Sequence, residues 1–279
     1  VRLASILVFP IKSCRGVALP EAVVERRGLR NDRRFMLVDA TGRFVTQREA
    51  PSLALVDTAL EGAALRVAAP GRPSVVVPAT PDEGELDGPL RVTVWSSEVE
   101  AREVRALSEL LTAHLGREIR CVYMPDSTAR PVSPRHARPG DVVSFADGYP
   151  LLVASESSRA DLEARAGVPL PMVRFRPNLA VTGAPAWDED RWTRLRVGAL
   201  VLRVTKPCGR CVVTTLDPET GAPSPGDAGK EPLRTLASFR RSEGEVMFGL
   251  NLVPELEDGA PALLRVGDPV ACEPSPGTP

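Results

Sequence analysis

The run Phe35-Met36-Leu37-Val38-Asp39-Ala40-Thr41-Gly42-Arg43-Phe44-Val45-Thr46-Gln47 decides the fold. Two short apolar segments, 35–39 and 44–47, flank Asp39-Ala40-Thr41-Gly42, a turn sequence of the kind that closes a β-hairpin. The rhythm continues on both sides. Segments 3–9, 53–60, 65–68, 74–77 and 90–95 are short and rich in β-branched residues, and many end in glycine-containing turns. Twenty-eight prolines and 22 glycines, scattered without a period, favour short elements over long helices. Many short strands with frequent turns predict a barrel or a sandwich.

Residues 103–115 break the pattern. Val104, Leu107, Leu110, Leu111 and Leu115 recur at helical spacing, and Gly116 supplies a stop. Beyond this helix strands and helices mix. Strands are expected at 119–123, 151–154, 173–182, 200–205, 211–216, 246–253 and 263–266. Ser158 with Asp161 reads as a capping box for a helix to Ala166, and Pro232 opens another with Leu233, Leu236 and Phe239 on one face. The chain is therefore expected to be mainly β with a few short helices (α+β). The boundaries expected are a β-barrel at 1–118, a second barrel-like domain at 119–273 and a disordered tail at 274–279.

A net charge of -1 gives no reason to expect nucleic acid or a membrane surface as partner. No apolar stretch approaches the roughly 18 residues of a membrane span, and the first 30 residues lack a signal-peptide pattern. The five cysteines, Cys14, Cys121, Cys208, Cys211 and Cys272, are too sparse for a disulfide scaffold and fit a reducing compartment, here expected to be the cytoplasm. The initial valine leaves room for an upstream segment.

Chemistry concentrates in Lys206-Pro207-Cys208-Gly209-Arg210-Cys211-Val212-Val213-Thr214-Thr215. A strand is expected to stop at the proline, turn through glycine and present a thiol beside an arginine. A lone Cys-x-x-Cys has several readings: half of a structural zinc site, which needs four ligands; a redox dithiol, which would open a helix; two buried cysteines; or one thiolate on a metal cofactor whose other ligands are not protein atoms. Lys12 and Ser13, in Phe9-Pro10-Ile11-Lys12-Ser13-Cys14-Arg15-Gly16, form a possible phosphate seat or a solvated strand end. In Asn31-Asp32-Arg33-Arg34-Phe35 the two arginines should face opposite ways, one pairing with Asp32 or facing solvent and the other turned toward an anion. Arg174, Arg176 and Asn178 should share a strand face, aimed at an anion or at solvent. The loop 125–139, with Arg130, Arg135, His136 and Arg138, is either a solvated loop or a docking surface for an acidic partner. His114 and His136 are too isolated for a histidine-rich metal site or a serine triad.

Taken in order, Phe9-Pro10-Ile11-Lys12-Ser13, Asp32-Arg33-Arg34-Phe35, Phe145-Ala146-Asp147-Gly148-Tyr149-Pro150, Ser155-Glu156-Ser157, Arg176-Pro177-Asn178, Cys208-Gly209-Arg210-Cys211 with Thr214-Thr215, Asp217-Pro218 with Gly221, Phe248-Gly249 and Val266-Gly267-Asp268 resemble the MOSC superfamily (molybdenum cofactor sulfurase C-terminal domain). The likeness is to members that place a MOSC N-terminal β-barrel before the MOSC domain, as in the amidoxime-reducing components and their bacterial relatives. The resemblance implies a molybdenum cofactor, molybdenum held by molybdopterin, with Cys211 as metal ligand and Cys208 as a neighbour. It implies that Lys12, Ser13 and Arg34 hold the phosphate end and that Arg176, Asn178, Gly209 and Arg210 line the rest, with Asp147, Gly148 and Tyr149. The sequence departs from its likeness at Gly209, where the mitochondrial members carry serine, and at Trp95, where they carry histidine.

The activity so implied is reduction of N-hydroxylated compounds (amidoximes, hydroxylamines, N-hydroxylated bases) by oxygen removal at a Cys-ligated molybdenum. The alternative is a molybdenum-cofactor or sulfur carrier without turnover. With no iron–sulfur cysteine cluster and no flavin motif, electrons are expected from a separate donor protein of flavin reductase, ferredoxin or cytochrome type.

Overall fold

The computed structural model describes residues 1–274, and residues 275–279 of the expected tail lie outside them; Pro274 ends the last strand. Strands dominate, with three α-helices at Arg105–Leu115, Glu156–Ala166 and Leu233–Phe239. The largest sheet has nine strands. In spatial order these are Val17–Leu19, Arg2–Val8, Leu179–Thr182, Leu151–Ser155, Glu245–Glu255, Leu200–Arg210, Trp192–Val197 and Ala271–Pro274, with Arg241–Ser242 paired to Glu245–Glu255. A five-stranded sheet runs Pro89–Val94, Ser97–Glu103, Arg120–Tyr123, Phe35–Val38 and Phe44–Val45, and two three-stranded sheets complete the β-structure.

The opening hairpin behaves as its sequence requires. Asp39 Oδ1 accepts from the N–H groups of Thr41 and Arg43, fixing the turn. Phe35 and Leu37 pack with Leu107, Leu111 and Tyr123, whereas Met36 and Val38 enter a second cluster with Val92, Val94 and Phe145. Alternate side chains of one strand thus serve two cores, which explains an unbroken apolar run. The helix Arg105–Leu115 buries Leu107, Leu110 and Leu111 and ends at left-handed Gly116.

Pairing crosses the 118/119 division in both directions. Arg2–Val8 lies antiparallel to Leu179–Thr182, and Glu21–Glu25 pairs with Ala262–Arg265. Arg120–Tyr123 in turn pairs with Phe35–Val38.

Several expected strands are corrected. Segment 53–60 divides into a 3-10 turn, Pro51–Leu55, opened by its proline, and a strand, Asp57–Glu61. Segment 173–182 is strand only from Leu179; Met172–Phe175 is a 3-10 turn and Arg176 is left-handed, so Arg174, Arg176 and Asn178 share no strand face. Segment 211–216 is also a 3-10 turn, Val212–Thr215, whose threonine hydroxyls donate to the carbonyls of Cys211 and Val212. The strand Leu200–Arg210 does not stop at Pro207. It continues with bulges at 204–206 and 207–209, and beyond Arg203 it has lost its second neighbour, Trp192–Val197, so a missing N–H is tolerated. The helix at Glu156 is capped by Ser155 rather than by Ser158, whose hydroxyl donates to buried Glu189.

One glycine joins fold to site. Gly28 has φ +107°, and a Cβ there would lie 2.5 Å from the carbonyl oxygen of Pro150, the residue that follows Asp147-Gly148-Tyr149. Gly28→Ala is expected to destabilise the protein by about 3 kcal/mol, combining backbone strain with an overpacked contact. Urea unfolding measures this, and an unchanged midpoint would contradict it.

Candidate functional site

A cleft open to solvent forms where the sheets meet. Its walls include the loop after Arg2–Val8, Arg33, the turn at Thr46-Gln47-Arg48, the loop Ala146-Asp147-Gly148-Tyr149 with Leu151 and Leu152, the stretch 175–178, Asn251, and the end of strand Leu200–Arg210 with Cys211. Lys12, Ser13, Asp147, Gly148, Tyr149, Arg176, Asn178, Arg210 and Cys211 all line it, so residues far apart in sequence converge.

The floor is cationic. Lys12 is buried, donates its backbone N–H to Phe35 and places its ammonium against Asp147. Burial lowers the Lys12 pKa, with Asp147 acting in opposition. Arg33 lies 4.3 Å above the Phe9 ring, forms an ion pair with buried Asp32, and donates to the Arg176 carbonyl at 3.1 Å. The Arg176 guanidinium lies 4.2 Å from the same ring. Its Nη2 is buried without a hydrogen-bond partner, and burial, followed by the like charge of Arg33, pushes its pKa down to about 9. Two guanidiniums share one ring, with a donor left over, an arrangement whose charge and free N–H would suit an anion.

Arg34 is not part of it. Its guanidinium turns away to the Met124 carbonyl, the Tyr123 hydroxyl and Asp126. Arg33 pairs with Asp32 and also reaches the cleft, because its φ of +48° breaks the alternation of an extended strand. Gly209 is absent from the lining as well; a Cβ on it would meet the Glu245 carboxylate at 2.7 Å. Asn178 reaches the cleft, yet its amide is used internally, donating to the Leu7 carbonyl and accepting from Leu152 N–H. Sequence reasoning missed Gln47 and Arg48, which follow the hairpin strand and carry no motif signal.

The 125–139 loop also reads differently. Arg130 is buried and holds the carbonyls of Ser144, Ala146 and Asp147, clamping the cleft loop. Arg138 pairs with Glu255, and Arg135 lies 3.9 Å from Glu243. Arg130 is thereby withdrawn from any docking surface, whereas Arg135 and Arg138 pair at the surface and stay exposed.

Asp147 is the cleft's carboxylate, and solvent reaches 63% of its side chain. Burial acts to raise its pKa, but Lys12, Arg48 and the indole N–H of Trp95 outweigh that effect and hold it well below the usual range. A depressed carboxyl pKa contributes stability above its unfolded value, near pH 4, which is lost as pH falls toward the folded value. Asp147→Asn is therefore expected to flatten the acid limb of a Tm-against-pH curve below about pH 4. Parallel acid limbs in variant and wild type would refute this.

The two thiols of the turn are unequal. Cys208 Sγ accepts from Arg210 Nη1 at 3.1 Å, while Arg210 Nη2 donates to the Phe175 carbonyl and anchors the strand end. Cys211 Sγ instead receives Arg48 Nη2 at 3.2 Å. Family models match this chain twice: the MOSC N-terminal beta barrel domain over residues 1–118 and the MOSC domain over residues 140–271. Human mitochondrial amidoxime-reducing component 1 is 32% identical over 96% of this chain and 82% of its own length, and component 2 of Macaca fascicularis matches to the same extent. This chain belongs to the MOSC family. Among solved structures, the YUAD protein from Bacillus subtilis covers 96% of this MOSC protein and 93% of its own chain at 10% identity and TM-score 0.42.

In this MOSC protein, no group of three or more His, Cys, Asp or Glu side chains is placed to hold a metal among the described residues. Cys208 and Cys211 thus lack the further ligands of a structural zinc site. The residues do fit an anionic cofactor that brings its own metal donors: a cationic floor, a buried guanidinium N–H without a partner, and the thiols of Cys208 and Cys211, of which Cys208 is engaged by Arg210 of its own strand. Lys12, Arg33 and Arg176 would hold its anionic end, and Cys211 its metal.

Proposed function

We propose that this MOSC protein is a molybdenum-cofactor-dependent oxidoreductase that reduces N-hydroxylated compounds. The observation that carries the reading is the joining, in one cleft, of the Cys211 thiol to a floor where half-buried Arg176 keeps a sheltered N–H without a partner. The names of the relatives, amidoxime-reducing components, support the substrate class. When bound, such a cofactor supplies two-electron oxygen abstraction from an N–OH group.

The chain's own residues supply placement. Arg176 and Arg33 grip the anionic end, and Lys12, held by Asp147, adds a charge whose position is fixed. Arg210 ties the Cys211-bearing strand end to the Phe175 carbonyl, so the sulfur is presented on a rigid element. Electrons come from a separate donor protein of flavin reductase, ferredoxin or cytochrome type, and the substrate is a small molecule. All five cysteines are free, which supports a reducing compartment, proposed to be the cytoplasm.

The test is metal and pterin analysis of protein from a molybdenum-replete host, together with turnover of benzamidoxime by an artificial low-potential donor. Stoichiometric molybdenum, a pterin and turnover are expected. Cofactor without turnover would favour the carrier reading, and neither would refute the assignment.

A further inference from the structure

Trp95 is at odds with its backbone. Residues 95 and 96 form the two-residue turn between Pro89–Val94 and Ser97–Glu103, and Trp95 has φ +54°, a conformation that suits glycine at that turn position. A bulky side chain in the left-handed region persists where something else over-determines it, and such outliers collect at functional sites. Here the ring is tied to the cleft: its Nε1 donates to Asp147 at 3.2 Å, and Phe44 supports it at 5.1 Å between centroids. Even so, 45% of the residue is exposed, and Val212, beside Cys211, is 52% exposed. Exposed apolar surface therefore flanks Cys211, one of the two thiols that line the cleft.

Arg48 lies between ring and thiol. Its guanidinium stacks 4.8 Å from the Trp95 ring, its Nη2 reaches Cys211 Sγ at 3.2 Å, and it forms no ion pair with a carboxylate among the described residues. A guanidinium is a planar cation with nitrogens on a trigonal carbon. An amidine, amidoxime or N-hydroxyguanidine has the same plane and the same trigonal carbon.

We infer that the Trp95 face is the recognition platform for planar, amidine-type N-hydroxylated substrates, and that Arg48 fills this seat in the free protein and swings out when such a molecule stacks there. The inference rests on the reductase reading for the word substrate, but the seat itself is a property of these side chains. Trp95 is then a specificity-determining residue, selecting a flat C=N–OH group over a tetrahedral hydroxylamine. Arg48 is a gate, displaced by molecules that imitate its own head group.

Two measurements test this. In cofactor-free protein Trp192 is buried and Trp187 half-buried, so exposed Trp95 should dominate any ligand-dependent change in fluorescence. Acetamidine is expected to perturb it, and Arg48→Ala to lower the midpoint about tenfold by removing the competitor. Methylammonium, a cation without a plane, should do neither. An unchanged midpoint in Arg48→Ala, or no amidine response in either protein, overturns the inference. In loaded protein, Trp95→Gly relieves the backbone strain while deleting the platform. It is expected to lower the kcat/KM ratio of benzamidoxime over hydroxylamine about tenfold, chiefly through KM, and Trp95→Phe to restore most of it. A parallel loss for both substrates overturns platform and gate. Amidine binding with the expected Arg48 dependence in a protein that reduces no N-hydroxylated compound would sustain the seat and refute the reductase reading.

Discussion

Cys211→Ser is expected to give a folded protein that retains no molybdenum and loses turnover by about a thousandfold or more. Removing groups that merely orient a metal ligand costs tens to hundreds of times in affinity or activity, and the protein's single ligand should cost more. Serine offers a hard, protonated oxygen where a soft thiolate is needed. Folding should survive, because Cys211 is only partly buried and precedes a 3-10 turn, a position where serine is at home. Cys208→Ser is the informative comparison. Its sulfur accepts from Arg210, a role a hydroxyl can fill, so that variant should keep its metal. Metal analysis of both variants decides the matter: equal molybdenum in the two would refute the inequality of the thiols.

Arg176→Met should act with opposite signs on stability and on binding. Its Nη2 is buried and unpartnered, with the like charge of Arg33 beside it, so the free protein carries an uncompensated cost at this position. An apolar side chain of similar length removes that cost, and the cofactor-free variant is expected to gain about 1–2 kcal/mol. Anion binding should weaken about a hundredfold, the worth of a charge-assisted bond in a sheltered site. Thermal shifts of cofactor-free protein with inorganic phosphate read both effects at once. A higher starting Tm and a lost phosphate response are expected. A variant that is both less stable and still phosphate-responsive would refute the anion seat.

Short apolar, β-branched runs bounded by turn residues made most strands legible, including Arg2–Val8, Phe35–Val38 and Glu245–Glu255, because burial is written directly in side-chain type. Lys12, Ser13, Arg176 and Cys211 were also found from short motifs, and the cleft gathers them. Failures arose where local hydrogen bonds override propensity. Val212-Val213-Thr214-Thr215 is rich in β-branched residues, yet its hydroxyls bond backward and close a turn. The choice between Arg33 and Arg34 failed for a different reason. Alternation assumes extended backbone, and Asn31 and Arg33 both have positive φ. Arg48 and Trp95 were invisible as partners because only tertiary structure brings a hairpin tip, a turn and a strand end together.

The strand exchange between the chain's halves bears on biosynthesis. Arg2 leaves the ribosome 180 residues before its partner Thr182, and Glu21–Glu25 waits for Ala262–Arg265. The opening segment therefore has no neighbour through most of translation, and pairing this remote in sequence is slow to form. Neither half is a self-sufficient folding unit, so cutting the gene at the 118/119 codon boundary should yield insoluble fragments rather than two domains. A ligand of this cleft would consequently bind late in the life of the polypeptide. The cleft acquires its Lys12 wall and its Cys211 wall together only once the strands at 2–8 and 21–25 have found their partners at 179–182 and 262–265.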